Sequence, residues 1–298
     1  MEDVSSTKIG RFRLHSLPTK VRMEVIKIME SKDQLAFSYC SKLCKKDISN
    51  LKIASMNSLK VNIESSITLE CAFNDHFIFL EFDFNDSNAE TPEERLFYHV
   101  QHLLYIFNTS KIDILRFSIY CNNFNLDLLL QFFRSIRVKT LIITPLVEKH
   151  IYASILNSPI RSDRLMLEKN PFNDSSDIQK IFIQNRNSIY IWPGIRFELS
   201  DLLITNSKNI QIFGSIFTER ELNRFLKLWI LGANPKLEQL NIQCPRLLDE
   251  DAVIRGVRFR EIRDLGRKFN FSRADGRANG ILIMHLSAEV SHIDFSVE

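Results

Sequence analysis

A short apolar pair, with one residue between its members, recurs six times along the middle of this 298-residue chain. The copies are Leu115-x-Phe117, Leu141-x-Ile143, Leu165-x-Leu167, Ile189-x-Ile191, Ile210-x-Ile212 and Leu240-x-Ile242. Successive copies are 26, 24, 24, 21 and 30 residues apart. Alternation of period two marks strands, and the intervals carry helical texture: Asn125 to Ile136, Leu146 to Leu156, Ser175 to Asn185, Ser200 to Asn206 and Glu219 to Leu231. The last interval opens on a capping box, Thr218-x-x-Glu221, and stops before Gly232, which is free to take a left-handed C-cap. One such unit cannot bury its own apolar face. Stacked units can, as a parallel sheet with helices on one side.

A strand and a helix every ~20–29 residues is the period of leucine-rich-repeat arrays. The units here are irregular, and only Leu165-x-Leu167-x-x-Asn170 carries the asparagine of that repeat in its place. An ordinary layered α/β domain is the alternative that the spacing permits. Upstream, Leu59 to Ile63, Ile67 to Leu69 and Phe77 to Phe84 alternate like a small antiparallel set, with Asn74-Asp75 as a turn. Thr91-Pro92-Glu93-Glu94 is a second capping box. It leads into a helix carrying Leu96, Val100, Leu103, Leu104 and Phe107.

Composition excludes several function classes. There are 8 glycines and no G-x-G-x-x-G or G-x-x-x-x-G-K-[ST] pattern, so loops that approach a pyrophosphate are not encoded. The 39 basic and 36 acidic residues leave a net charge of +3, too little for a global field toward nucleic acid or membrane. The longest apolar run, Leu103 to Phe107, is far short of a membrane span. Met1 to Arg13 carries no secretory signal, so the 5 irregularly spaced cysteines read as reduced thiols in the cytoplasm or nucleus.

No local pattern asks for catalysis, a metal or a cofactor, and the chain is expected not to be an enzyme. Cys40 and Cys44 lack a second zinc-type pair and read as core-facing residues. His99 and His102 lack an acidic partner motif and read as a surface or half-buried pair. Arg255 to Arg277 holds eight basic residues against three acids, with Phe259, Phe269 and Phe271 interleaved. Strand alternation produces that pattern by itself, with aromatics inward and arginines in water, so edge strands are expected there and nucleic-acid binding is not.

The N-terminus reads as a small helical module. Leu17-Pro18 starts a helix carrying Val21, Val25, Ile26, Ile28 and Met29. Ser31-Lys32-Asp33-Gln34 forms a capping box, and a second helix carries Leu35, Phe37, Cys40, Leu43, Cys44 and Ile48. Two short helices cannot bury this much apolar surface alone. Leu14-x-x-Leu17-Pro18, Asp33-x-Leu35 and Ser38-x-Cys40-Ser41-Lys42 together resemble an F-box over residues 10–50. The tryptophan that often closes that motif is absent.

A second resemblance lies in the array. Residues 187–242 hold Asn187-Ser-Ile-Tyr-Ile, Leu199-Ser-Asp-Leu-Leu, Leu222-Asn-Arg-Phe-Leu-Lys-Leu-Trp-Ile and Asn234-Pro-Lys-Leu-Glu-Gln-Leu. This segment resembles the second type of F-box-associated domain of nematode F-box proteins. The Ala274-Asp275-Gly276-Arg277 turn, in a hairpin over 266–286, fits the same group.

The expected fold class is therefore α/β: N-terminal F-box helices, antiparallel strands over 51–90, and an irregular leucine-rich-repeat-like strand–helix array over 91–298. The resemblance implies a substrate-recognition subunit of a Skp–cullin–F-box ubiquitin ligase. Leu14, Leu17, Pro18, Val21, Ile26 and Leu35 would face the Skp-type adaptor, and through it a cullin–RING ligase. The array would hold a target protein, for which no residue set stands out in the sequence. The alternative, drawn from the missing tryptophan, is a non-ligase protein-binding scaffold with a degenerate F-box.

Overall fold

A computed structural model describes residues 14–51, 56–73, 77–83, 90–263, 267–287 and 289–298. A single turn of 3-10 helix, Leu14–Ser16, precedes α1 (Thr19–Lys27), α2 (Ser31–Cys40) and α3 (Lys42–Asn50). Three antiparallel strands follow, β1 (Ser58–Ile63), β2 (Ser66–Ala72) and β3 (Phe77–Asp83). The expected Asn74-Asp75 turn lies outside the described residues. A long helix, α4 (Pro92–Ile106), starts on the capping box: Thr91 accepts from the Glu94 N–H at 3.2 Å, and Glu94 accepts from the Thr91 N–H at 3.0 Å.

The array comes next. It alternates β4 (Lys111–Phe117), α5 (Leu126–Arg134), β5 (Arg137–Ile143), α6 (Lys149–Asn157), β6 (Ser162–Leu167), α7 (Ser175–Phe182), β7 (Ser188–Ile191), α8 (Leu199–Ile204), β8 (Asn209–Ile212), α9 (Glu219–Ile230) and β9 (Gln239–Cys244). After α10 (Glu250–Ile254) come β10 (Arg260–Arg263), β11 (Arg267–Ser272), β12 (Asn279–Leu286) and β13 (Ser291–Val297). Among the described residues the strands form one sheet, in the order β10-β11-β12-β13-β9-β8-β7-β6-β5-β4-β1-β2-β3. The fold is mixed α/β. Pairing is parallel from β1 through β4 to β9 and antiparallel at both ends.

Register explains why the spacing can be irregular. One inward row runs Val61–Leu115–Leu141–Leu165–Ile189–Ile210–Leu240–Phe295–Leu282–Phe269, each residue paired with the next. No member is more than 2% exposed. Burying each such side chain is worth roughly 1.5–3 kcal/mol, so a one-residue slip that turned the row to water is strongly disfavoured. Length variation falls on the helices instead. The shortest repeat contains the 6-residue α8 and the longest contains the 12-residue α9.

A third inward position precedes each pair by three residues: Ile112, Val138, Ser162, Arg186, Ser207 and Leu237, all buried. Three of these six residues are polar, so apolar periodicity in the sequence marks only the pairs. The helices press their own apolar stripes on this face. Leu129 and Phe133 come from α5, Tyr152 and Ile155 from α6, and Leu222, Phe225, Leu226 and Trp229 from α9.

At the end of α9, Gly232 has φ +110°, and the N–H groups of Gly232 and Ala233 bond the carbonyls of Trp229 and Leu228. The C-terminal hairpin is β11 and β12, with Gly276 at φ +69° in its turn. The last strand, β13, lies between β12 and β9. Within Arg255 to Arg277, residues 260–263 and 267–272 are strand, and Phe259, expected to face inward, is exposed before them. Phe269 and Phe271 are buried, while Arg267 pairs with Glu250 at 2.8 Å and Glu261 at 3.2 Å.

Candidate functional site

The N-terminal helices dock on α4 through polar contacts placed between apolar ones. Tyr39 of α2 stacks on His102, with ring centroids 3.8 Å apart, and its hydroxyl meets His99 Nδ1 at 2.8 Å. The Ser38 hydroxyl donates to the Leu35 carbonyl at 2.6 Å and lies 2.7 Å from His102 Nε2. Its single proton is used on Leu35, so both contacts are satisfied when His102 donates from Nε2. Burial lowers the His102 pKa to about 4 and also lowers that of His99, so both imidazoles are neutral near pH 7. The histidine pair is thus a fastening between helices.

Within the module, Arg22 of α1 binds Asp47 of α3 through two hydrogen bonds, 2.9 and 3.3 Å, with both side chains buried. Gln34 donates to the Ile26 carbonyl at 2.9 Å. This replaces the expected capping box. Ser31 is the first residue of α2, its cap is Glu30 without a side-chain bond, and the buried Gln34 satisfies the end of α1 instead. The expected single second helix is divided at Ser41, which is extended (φ −165°, ψ 167°) and accepts the Cys44 N–H to cap α3. Cys44 is buried beside His15, whereas Cys40 is exposed, contrary to the core-facing reading.

The placement of the six expected adaptor residues divides them. Ile26 is fully buried and Leu35 is 6% exposed; both belong to the protein's own core and present no surface, which corrects their assignment. Leu14 and Leu17 are half-buried, and Pro18 and Val21 are exposed. The reason is that α1 is apolar on two sides. Arg22, Ile26 and Met29 face inward. Pro18, Val21, Val25 and Ile28 recur at three- and four-residue steps on the other side, with Val21 48% and Ile28 84% exposed. Leu43 at the start of α3 is also exposed. In the sequence, Ile28 and Leu43 stand as ordinary members of their apolar stripes. The 3-4-3 spacing from Pro18 to Ile28 was the available signal.

The sheet face turned away from the helices carries a mixed row, including Asn62, Arg116, Met166, Tyr190, Gln211 and Asn241, all half-buried. Burial pushes the Cys71 thiol up to about 12 and the Cys121 thiol up to about 11, so both stay protonated. Among the described residues, no group of three or more His, Cys, Asp or Glu side chains is placed to hold a metal ion. No helix among them is long and apolar enough to cross a membrane.

The run from α7 to β9, which includes the amphipathic α9, is where a known family meets this chain. Residues 177–242 match the F-box associated family. The match starts ten residues before the segment expected from sequence and takes in most of α7. A Caenorhabditis elegans protein, the F-box associated domain-containing protein sdz-33, is 32% identical over 97 residues. The alignment covers 30% of this chain and 32% of that relative, so the chain spans about a third of its length. No solved structure matches significantly. Both similarities support kinship with nematode F-box-associated proteins, and the family match lies in the array.

Proposed function

We propose that the chain is a non-enzymatic substrate-recognition subunit of a Skp–cullin–F-box ubiquitin ligase, acting in the cytoplasm or nucleus. In this reading the N-terminal helices are an F-box that holds a Skp-type adaptor. The array, built like an irregular leucine-rich repeat, holds a target protein within reach of the ligase. The observation that carries the reading is the outward stripe Pro18, Val21, Val25 and Ile28 on a helix whose opposite side is already buried. An exposed apolar stripe on a folded module is the mark of a docking surface. Here it precedes a segment that matches the F-box associated family.

The adaptor surface would be centred on Leu17, Pro18, Val21 and Ile28, with Leu14 at its edge. A standard interface buries roughly 800 Å² per partner, and its apolar anchors cost at least ~2 kcal/mol each on truncation. Co-purification of the chain with a purified Skp-type adaptor tests this. Wild type should be retained. Leu17→Ala with Pro18→Ala, and separately Val21→Glu, should lose retention while circular dichroism of the array stays unchanged. If wild type is not retained, the ligase role fails and a protein-binding scaffold remains.

A further inference from the structure

The sheet ends on two unlike edges. At one, β10 is 4 residues long and carries the exposed Arg260. At the other, β3 is 7 residues long, Phe-Ile-Phe-Leu-Glu-Phe-Asp, and pairs with β2 without a bulge, from Ser66 with Asp83 to Ala72 with Phe77. Its other side meets no strand among the described residues, so a row of backbone N–H and C=O groups is open there. Edges of this kind are ordinarily blunted by lysine, proline, a bulge or shortness. β3 has none of these.

The two faces of β3 differ. Phe82 is buried against α4, with its ring 5.3 Å from that of His99 and the Arg95 guanidinium 5.1 Å above it, which fixes the strand in place. Ile78 and Leu80 are half-buried on the same face. On the helix-free face, Phe77 is 59% and Phe79 64% exposed, with ring centroids 6.4 Å apart. The exposed Glu81 and Asp83 continue that row. Glu81 accepts the Ser66 hydroxyl at 2.6 Å, and no cation among the described residues pairs with Glu81 or Asp83. Lys60, on the same face two strands away, is held by Glu70 at 2.6 Å. The edge thus joins open backbone, two bare rings and two carboxylates without counter-charge.

We infer that β3 takes an added strand: an extended segment of a partner protein, apolar opposite Phe77 and Phe79 and basic opposite Glu81 and Asp83. In strand addition the backbone ladder supplies affinity, and alternate side chains choose the partner. Antiparallel pairing, the sturdier kind, places the two basic residues first and third in a segment as long as β3. Charge argues against a second copy of this chain. Two β3 edges would set Glu81 and Asp83 of both copies along one seam, where like charges repel. The basic β10 of another copy has 4 residues and would cover little more than half of β3. The inference goes beyond the ligase reading, since it concerns the strands upstream of the array and needs no adaptor.

The test uses the full chain and fluorescent peptide pools of β3's length, read by anisotropy. One pool fixes lysine at the first and third positions, with valine, isoleucine or tyrosine elsewhere. A second pool replaces both lysines by glutamate. The lysine pool should bind at least ~5-fold more tightly, through two cross-strand charge pairs. Glu81→Lys with Asp83→Lys, both exposed, should reverse that preference, which an unfolded variant cannot do. Methylating one alternate set of backbone nitrogens in the lysine pool should weaken binding at least ~10-fold, through lost ladder hydrogen bonds. Methylating the other set should not, because only one set points at β3. No binding, equal binding of the two pools, an unchanged preference in the double variant, or equal effects of the two methylated sets overturns the inference. So does a chain that sediments alone as a dimer and returns to monomer with Phe79→Lys, which assigns the edge to a second copy.

Discussion

Trp229 and Phe295 meet edge to face, with ring centroids 4.9 Å apart and planes at 79°, and this contact joins α9 to the last strand. Gly280 on the neighbouring strand leaves the room for it. A Cβ there would stand 2.6 Å from Phe295 Cζ and 3.0 Å from Trp229 Cη2. Gly280→Ala should therefore destabilise the chain by about 1–3 kcal/mol through overpacking. Phe295→Ala should cost ~3–5 kcal/mol through a cavity. Urea unfolding followed by tryptophan fluorescence measures both, and a neutral Gly280→Ala would contradict the packing.

The Arg22–Asp47 pair should behave as a buried ion pair. Removing one partner leaves the other charge stranded, so Asp47→Ala should cost ~3–5 kcal/mol. Replacing both with apolar residues, Arg22→Met with Asp47→Leu, should recover most of that loss. Proteolysis within α1–α3, compared across the three variants, reads the local stability.

Acid should loosen the N-terminal module before the array. The His102 pKa lies near 4 in the folded chain, below its ordinary 6.5. The unfolded chain then binds more protons between these values. Stability is complete above pH 6.5 and falls as pH drops toward 4. Glu219, held down to about 2 by Arg246, extends the loss at the α9 end between pH 4.5 and 2. His102→Asn should flatten the first window in a pH series of thermal melts and leave the second.

Surface and core members of the N-terminal set should separate by phenotype. Ile26→Ala and Leu35→Ala should each cost ~2–5 kcal/mol of stability. Val21→Ala should change stability by no more than ~0.5 kcal/mol. Thermal melts alone distinguish these groups, and equal losses would contradict the two-sided character of α1.

The capping boxes at Thr91 and Thr218, the Gly232 stop and the six strand pairs were all legible, because each depends on residues within one turn or one strand. The same is true of the F-box-associated segment, whose residues are contiguous. The break at Ser41 was not legible, since it interrupts a pattern that reads as continuous helix. Nor was the fate of Ile26 beside Val21. Both fit an amphipathic stripe, and only the position of the neighbouring helices decides which side is covered. The cleft shared by Arg137, Arg161 and Arg186, which are 24 and 25 residues apart in sequence, escaped for the same reason: they meet only when the repeats stack.

Within the array, the order of strands and helices, the parallel pairing and the apolar pairs of the inward row were determined by sequence, because hydrophobic periodicity and local capping act over a few residues. Tertiary structure decided that β13 returns to lie between β12 and β9, that α1 keeps one apolar side uncovered, and that Arg186 sits buried at an inward position of the array. Those outcomes depend on burial, and burial is set by which distant segments arrive.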